Sequence, residues 1–166
     1  TGTDRIYEAF KLLGKKDVDY IMNVQGDEPQ INIKDIKNLD QKMKKKNSKI
    51  GTLASKIFDP QIYGNENVVK VIVKKSLSEN TFPLAENFTR KIILNKNVFH
   101  HIGIYCYEIN TLKKIISFEQ SKNEIKNKLE QLRALDNKIG VNVALANYSP
   151  IGIDTKEDYL ALKKIM

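Results

Sequence analysis

The sequence contains one cysteine, no tryptophan and two histidines in 166 residues. The single thiol, Cys106, cannot form an internal disulfide, and we interpret it as a packing residue. His100 and His101 are adjacent, and no further histidine or cysteine lies at a metal-ligand spacing, so the sequence does not favour a zinc site. No apolar run approaches the roughly 18 residues of a membrane-spanning helix, and the sequence therefore predicts no membrane association.

Arginine is scarce among the 28 basic residues, which exceed the 20 acidic residues and give a formal net charge of +8. A positive charge of this size suits a nucleic acid or an anionic membrane surface. The lysines, however, are spread along the chain, and their densest run, residues 42–49, is interpreted as the solvated end of a helix. Nucleic-acid surfaces usually add arginines and interleaved aromatic residues. The sequence therefore predicts no nucleic-acid partner.

Apolar residues change spacing repeatedly along the chain, between the helical period and short β-branched or alternating runs. The predicted strands cover residues 20–24, 50–57, 67–73, 98–107 and 141–145, and the predicted helices cover residues 6–13, 33–43, 112–116, 125–132 and a last segment after 155. Residues 74–97 fit neither pattern. Gly103 inside a strand predicts a bulge or a close backbone approach. Strands that alternate with helices predict an α/β layered fold with a mixed sheet.

Two aspartates follow apolar segments, where ligands bind in open α/β sheets. Asp27 lies in the turn after the first predicted strand, and Asp154 lies between an apolar segment and a predicted helix. Two such carboxylates suit Mg²⁺, which binds one or two carboxylates when substrate phosphates complete its shell. The alternative is that both aspartates cap the helices that follow them.

The histidines and the last capped helix leave further alternatives open. Neighbours on a strand face opposite ways, so one of His100 and His101 faces a given pocket. A neutral histidine orients a hydroxyl, a charged one meets a carboxylate, and a surface position needs neither. The capping box that begins at Ser121 predicts a helix that turns Leu129 and Leu132 inward. Three polar residues then fall on its solvated flanks, namely Glu130, Gln131 and Arg133.

Seven motifs, taken in order and with their gaps, resemble the 3-deoxy-manno-octulosonate cytidylyltransferase family along residues 1–166. They are residues 1–5 (TGTDR), 23–29 (NVQGDEP), 52–54 (TLA), 67–71 (NVVKV), 101–105 (HIGIY), 129–135 (LEQLRAL) and 152–158 (GIDTKED). Each motif alone is weak, and the ordered set is specific. The resemblance implies a single cytidylyltransferase domain over residues 1–166, with a Rossmann-like nucleotide-sugar transferase fold and a mixed β-sheet.

The resemblance also implies an activity and a set of roles. The family couples CTP to 3-deoxy-manno-octulosonate (Kdo) for lipopolysaccharide, and its members are cytoplasmic, Mg²⁺-dependent and usually homodimeric. The expected mechanism is attack of the sugar's anomeric hydroxyl on the α-phosphorus of CTP, which depends on positioning and charge neutralisation. The implied roles are Mg²⁺ binding and catalysis by Asp27 and Asp154, nucleotide or sugar contacts by Gln25, nucleotide or phosphate support by Arg5, and sugar binding by His101, Tyr105, Glu130 and Gln131.

The sequence departs from the family pattern in two places. The family's N-terminal segment, with its phosphate-gripping basic loop, does not precede Thr1 here, and we expect these 166 residues alone to bind CTP poorly and turn over little. The family's sugar-acid arginine has no counterpart in residues 81–84 (TFPL), and Arg90 is either its substitute or a surface residue. Alternatives are therefore a cytidylyltransferase for 8-amino-Kdo or another acidic sugar, and a non-catalytic fragment.

Overall fold

The computed structural model describes residues 2–25, 32–91 and 97–147, together with Leu160 and Lys163. Within them the helices are α1 (Gly2–Leu13), α2 (Ile33–Lys46), α3 (Gln61–Gly64), α4 (Ile109–Ile116), α5 (Lys122–Asn127) and α6 (Leu132–Asp136). The strands are β1 (Tyr20–Asn23), β2 (Ile50–Ser55), β3 (Lys70–Val73), β4 (Ala85–Thr89), β5 (Val98–Glu108) and β6 (Val141–Leu145). The predicted alternation of helices and strands is confirmed there. Leu160 and Lys163, within the helix predicted after residue 155, are helical, and the rest of that helix lies outside the described residues.

The strands form one mixed sheet in the order β4-β3-β5-β2-β6, and β1 pairs with β5 outside this path. The β2–β6 pair is parallel, and every pair that involves β5 is antiparallel. β5 is the longest of these strands, and β2 runs along one of its edges. On the other edge β3 pairs with the first residues of β5 and β1 pairs with the last ones.

The predicted irregularity at Gly103 is confirmed as a bulge in β5. Thr52 of β2 pairs with Tyr105, whereas the next residue, Leu53, pairs with Ile102. Residues 103 and 104 are therefore additional on the β5 side, and their backbone groups leave the regular ladder. The bulge brings the carbonyls of Ile102 and Ile104 within hydrogen-bond distance of the Thr52 side chain on β2.

Two hydrophobic layers cover the two faces of the sheet. Helices α1, α4 and α6 pack on one face, where Ile50, Val71, Phe88 and Leu112 belong to the larger apolar cluster. Helix α2 packs on the other face. It approaches β2 so closely that a Cβ atom on Gly51 would lie 2.5 Å from Met43 Sδ. Cys106 is buried in this second layer, which confirms its interpretation as a packing residue.

Helix ends follow the local signals in the sequence. Gly14 follows α1 with a φ of 57°, a left-handed conformation that glycine adopts without strain. Asn32 caps α2 by accepting the Lys34 backbone N–H. Ser121 and Glu124 form the predicted capping box of α5. No helix in the described part of the chain is long and apolar enough to span a membrane.

Three sequence-based expectations are corrected by the structure. The short apolar run of residues 20–24 is typical of a buried strand, but the residues of β1 are half-buried. The helix expected to run through residues 125–132 breaks at Lys128, which adopts a left-handed conformation, and α6 begins at Leu132. Leu129 and Leu132 are buried as expected, but Arg133, expected on a solvated flank, is 2% exposed because it pairs with a buried carboxylate of α5.

Candidate active site

The candidate site lies at the edge of β5 between β1 and β3. β1 ends at Asn23, opposite Tyr105, and the carbonyl of Val69, just before β3, accepts the backbone N–H of His101. The chain segments that carry the NVQGDEP and NVVKV motifs therefore reach the same stretch of β5, residues 101–105. This stretch is itself the HIGIY motif, so three of the motifs converge at one place.

His101 is buried on the face of the sheet that carries the larger cluster, whereas His100 is half-buried. The Nε2 atom of His101 lies 3.0 Å from Thr52 Oγ1, and the His101 ring contacts Phe88 edge-on with centroids 5.1 Å apart. Burial, with the neighbouring His100, lowers the pKa of His101 to about 3. The ring is therefore neutral at neutral pH, which excludes a charged histidine and leaves the hydroxyl-orienting alternative.

Tyr105 and Tyr107 continue the same aromatic row. The His101 and Tyr105 centroids are 5.4 Å apart, and the two tyrosine rings stack at 5.7 Å. The Tyr105 hydroxyl is buried and has no hydrogen-bond partner in the described part of the protein. Burial, Tyr107 and Glu130 raise the pKa of Tyr105 well above its usual value. The nearby Thr52 side chain, which lies outside hydrogen-bonding geometry, lowers it by less, so the hydroxyl keeps its proton. A buried hydroxyl without a partner is costly, and a bound ligand would satisfy it.

Glu130 lies in the turn between α5 and α6 and reaches the first turn of α1. The backbone N–H groups of Gly2 and Thr3 donate to its two carboxylate oxygens at 3.1 and 3.0 Å. A carboxylate is favourable there because the first N–H groups of a helix have no partner within the helix. The sugar-binding role of Glu130 stays a prediction. Its hydrogen bonds to α1 link the LEQLRAL and TGTDR motifs, and its charge raises the pKa of Tyr105. Gln131 is half-buried at the start of α6.

A buried ion pair holds the turn that carries Glu130. Arg133 donates from Nε and Nη2 to the two carboxylate oxygens of Glu124, at 2.8 and 2.5 Å. Both side chains are almost fully buried. Burial alone would raise the pKa of Glu124, but hydrogen bonds from Arg133, Gln120 and Ser121 lower it, so Glu124 is ionised. Sequence reasoning missed this pair because an arginine three residues after Glu130 looks solvent-exposed by helical periodicity.

Asp35 is a second buried carboxylate that sequence reasoning missed. It lies in the first turn of α2 and accepts the Asn147 backbone N–H at 3.2 Å on both oxygens and the Asn147 side-chain amide at 3.0 Å. It therefore fixes the point at which the chain leaves β6. Asn147 precedes Asp154 by 154 − 147 = 7 residues, and α2 follows the segment that carries Asp27.

The two proposed metal ligands, Asp27 and Asp154, lie outside the described residues. The alternative that Asp27 caps the helix after it is wrong, because Asn32 caps α2. No group of three or more metal-ligating side chains is found among the residues that the structure describes. Two carboxylates fit Mg²⁺ by the chemistry of the donors, since hard cations prefer oxygen ligands.

Four further polar side chains are placed by the structure, namely Arg5, Gln25, Arg90 and Lys70. Arg5 and Gln25 are exposed. Arg90 is half-buried, and its Nη1 donates to the carbonyls of Asn67 and Glu66 at 2.7 and 3.3 Å. Lys70 is buried and donates to the carbonyls of Asn65 and Arg90 at 2.6 and 2.9 Å. Arg90 is thus tied to the NVVKV loop, one element away from His101.

The TFPL segment, where the sequence departs from the resembled family, lies along β6. The carbonyl of Phe82 accepts the Asn142 side chain at 2.8 Å, and the carbonyl of Pro83 accepts the Val143 backbone N–H at 2.8 Å. Phe82 is buried in the layer that faces α2. This segment therefore closes the sheet beside β6 and presents no cationic side chain.

Comparisons with known proteins identify relatives over the whole chain. Residues 1–143 match the family model described as cytidylyltransferase. The 3-deoxy-manno-octulosonate cytidylyltransferase of Thermodesulfovibrio yellowstonii is 38% identical over 177 residues, which cover all of this chain and 69% of the relative. The enzyme of the same name from Bartonella tribocorum is 34% identical over 175 residues, again with 100% and 69% covered. The structure of CMP:2-keto-3-deoxy-manno-octonic acid synthetase complexed with CTP superposes with a TM-score of 0.84 at 26% identity, over 100% of this chain and 68% of that one.

The chain therefore belongs to the cytidylyltransferases, nucleotide-activating enzymes with a mixed α/β fold. Within that class it belongs to the family of 3-deoxy-manno-octulosonate cytidylyltransferases. The resemblance seen in the seven motifs is confirmed.

Proposed function

We propose that this protein couples CTP to Kdo and releases CMP-Kdo and diphosphate. The observation that carries this proposal is that the Tyr105 hydroxyl is buried beside the His101 ring and has no hydrogen-bond partner among the described residues. Glu130, from a distant motif, acts on the same hydroxyl by raising its pKa. The whole-chain similarity to enzymes named for this sugar supports the same substrate.

The reaction needs positioning and charge neutralisation rather than a covalent enzyme intermediate. The anomeric oxygen of the sugar forms a bond to the α-phosphorus of CTP, the bond from that phosphorus to the diphosphate oxygen breaks, and the hydroxyl proton leaves to solvent. The neutral His101 ring and the protonated Tyr105 hydroxyl suit the hydroxyl groups of a sugar. Gln131 adds an amide at the same turn, and we assign Arg5 and Gln25 to the nucleotide side.

Mg²⁺ is part of the proposal. Asp27 and Asp154 would hold it, and the ion would neutralise charge between the triphosphate and the sugar acid. Asp35 supports this assignment, because it ties the start of the Asp154 segment to the helix that follows the Asp27 segment.

The setting of the enzyme is proposed with the activity. We assign it to the cytoplasm, where CTP is available, as a homodimer that supplies activated Kdo for lipopolysaccharide. We propose no nucleic-acid partner, because the arginines form no common basic surface. Arg133 pairs with Glu124, Arg90 contacts the NVVKV loop, and Arg5 lies on α1.

A second sugar acid remains a specific candidate. The TFPL segment presents no arginine, and Arg90, the nearest guanidinium in the chain, is anchored to the NVVKV loop. If Arg90 binds the sugar carboxylate from there, the pocket differs from that of the family, and 8-amino-Kdo or another ulosonic acid becomes the better substrate.

The test is CTP-dependent diphosphate release by the product of the whole reading frame that encodes these 166 residues. We expect turnover with Kdo and Mg²⁺, no turnover without the sugar, and a loss with Arg90→Ala that is larger in KM than in kcat. Lys91→Ala, next to Arg90 and exposed, is the matched control. Faster turnover with 8-amino-Kdo would favour the second candidate, and absence of turnover with any ulosonic acid would refute the proposal. The 166 residues alone, assayed in parallel, test the expectation of low turnover.

A further inference from the structure

The bulge in β5 brings two carbonyl groups next to one hydroxyl. Residues 103 and 104 have no counterpart in β2, and the carbonyls of Ile102 and Ile104 both lie beside Thr52. Thr52 Oγ1 lies 2.7 Å from the Ile104 oxygen and 3.2 Å from the Ile102 oxygen. Thr52 is fully buried, so no water replaces its hydroxyl in this role.

The same hydroxyl oxygen lies 3.0 Å from His101 Nε2. A threonine hydroxyl has one proton, and a carbonyl oxygen only accepts. The proton therefore points to the Ile104 oxygen, whose contact with Thr52 Oγ1 is the shortest of the three. A proton pointing to His101 would leave two oxygen lone pairs facing each other at 2.7 Å. The Thr52 oxygen is then left as an acceptor. The Tyr105 hydroxyl is also close to it but lies outside hydrogen-bonding geometry, so His101 Nε2, at 3.0 Å, is the donor.

We propose that Thr52 is a positioning residue that holds His101 in the tautomer with the proton on Nε2, so that Nδ1 is the acceptor offered to the substrate. A neutral imidazole carries a single N–H, and the bond made by one ring nitrogen sets the state of the other. The burial of the ring keeps it neutral across the physiological range.

The chemical consequence is that the hydrogen-bond acceptor and donor atoms of the aromatic row are defined. His101 accepts at Nδ1, and the Tyr105 hydroxyl, protonated and without a partner in the described part of the chain, donates or accepts. The fitting ligand group is a hydroxyl that donates to Nδ1, as in a polyhydroxylated sugar acid. A carboxylate would not bind at Nδ1, because two acceptors repel. The identity of the ligand rests on the proposed function, whereas the tautomer does not.

The tautomer is measured directly by long-range ¹H–¹⁵N NMR of the histidine rings in the ligand-free protein. We expect Nε2 protonated and Nδ1 unprotonated for His101 in the natural sequence and in Thr52→Ser, which keeps the hydroxyl. Thr52→Val, which keeps the shape and loses the oxygen, is expected to lose the Nε2–H pattern. Thr111→Val is the matched control, because Thr111 is also a buried threonine, and its hydroxyl bonds to Glu108 instead.

Two outcomes overturn the proposal: a proton on Nδ1 in the natural sequence, or an unchanged His101 pattern in Thr52→Val. If Thr52→Val does not fold, the natural sequence and Thr52→Ser still decide the tautomer. The ligand is tested separately. Added Kdo should shift the Nδ1 resonance of His101. In turnover assays the KM for Kdo should be about tenfold higher in Thr52→Val, with little change in kcat. An Nε2–H tautomer with no response to Kdo or 8-amino-Kdo would refute the proposed ligand and function while the tautomer assignment stands.

Discussion

Glu130 Oε1 accepts the backbone N–H of Thr3 at 3.0 Å, across 127 residues of sequence. The other carboxylate oxygen accepts the N–H of Gly2, so one side chain satisfies two of the four unpaired donors of α1. Glu130 also raises the pKa of Tyr105. The turn between α5 and α6 therefore connects the helix that carries Arg5 with the aromatic row on β5.

Glu130→Ala should destabilise the protein by about 1–2 kcal/mol, because α1 loses its N-terminal acceptor and the favourable charge beside it. Glu130→Gln keeps one acceptor oxygen and should lose less. Urea unfolding followed by circular dichroism measures both. Glu119→Gln, at an exposed position before α5, is the control and should leave the free energy of unfolding unchanged. Equal losses for Ala and Gln would show that the carboxylate does not act as a cap.

Tyr105→Phe should separate stability from substrate binding. The hydroxyl has no partner in the described residues, so its removal should leave the free energy of unfolding unchanged or raise it slightly. The KM for the sugar should rise several-fold, because the ligand loses a hydrogen bond. Tyr107→Phe, the stacked neighbour, is the comparison for the KM effect. A destabilised Tyr105→Phe would mean that the hydroxyl already has a structural partner.

His101 should make stability depend on pH. The folded ring has a pKa of about 3, whereas an unfolded histidine titrates near 6.5, so the unfolded state binds more protons between these values. Stability is therefore fully present above about pH 6.5 and falls as the pH drops toward 3, by about 2 kcal/mol between pH 7 and 5 from this group. Denaturant unfolding of the natural sequence and of His101→Gln at both pH values measures the difference. The same slope in both proteins would contradict the burial of a neutral ring.

Arg133→Ala should be among the most damaging single changes in the described chain. It leaves the buried Glu124 carboxylate without its partner, a loss of about 3–5 kcal/mol. The paired replacement Glu124→Leu with Arg133→Met should lose less than Arg133→Ala alone, because no unpaired charge remains. Thermal unfolding of the single and paired variants is the measurement. Additive losses would contradict the interpretation as one ion pair.

Asp35→Asn should weaken the binding of the metal ion more than it lowers the stability of the fold. An amide facing the Asn147 backbone and side chain replaces an acceptor with a donor, so the start of the Asp154 segment loses its anchor on α2. We expect a several-fold higher Mn²⁺ dissociation constant in the presence of CTP, read by electron paramagnetic resonance, with Mn²⁺ as the probe for Mg²⁺. Asp40→Asn, on the same helix and partly exposed, is the matched control. Unchanged Mn²⁺ binding with a lower melting temperature would limit Asp35 to a structural role.

Local patterns in the sequence were sufficient for most of the elements. The β-branched run around Val71 and the capping signals at Gly14 and Ser121 act over a few residues, and the structure agrees with them. The break at Lys128 was not predictable, because a lysine rarely adopts a left-handed conformation and nothing in its neighbourhood signals one. β4, in the segment that fits neither pattern, forms because β3 offers it a paired edge.

The sequence by itself determined the alternation of elements and, through its ordered motifs, the cytidylyltransferase family, because both are written in neighbouring residues. Only the tertiary structure decided that Glu130 caps α1, that Arg133 is buried against Glu124, that Asp35 anchors Asn147 and that His101 is neutral. The physical reason is that these properties depend on burial and on partners brought together by the sheet. The pKa of a histidine or the cost of a buried carboxylate is a property of its surroundings, and those surroundings come from residues far away in the chain.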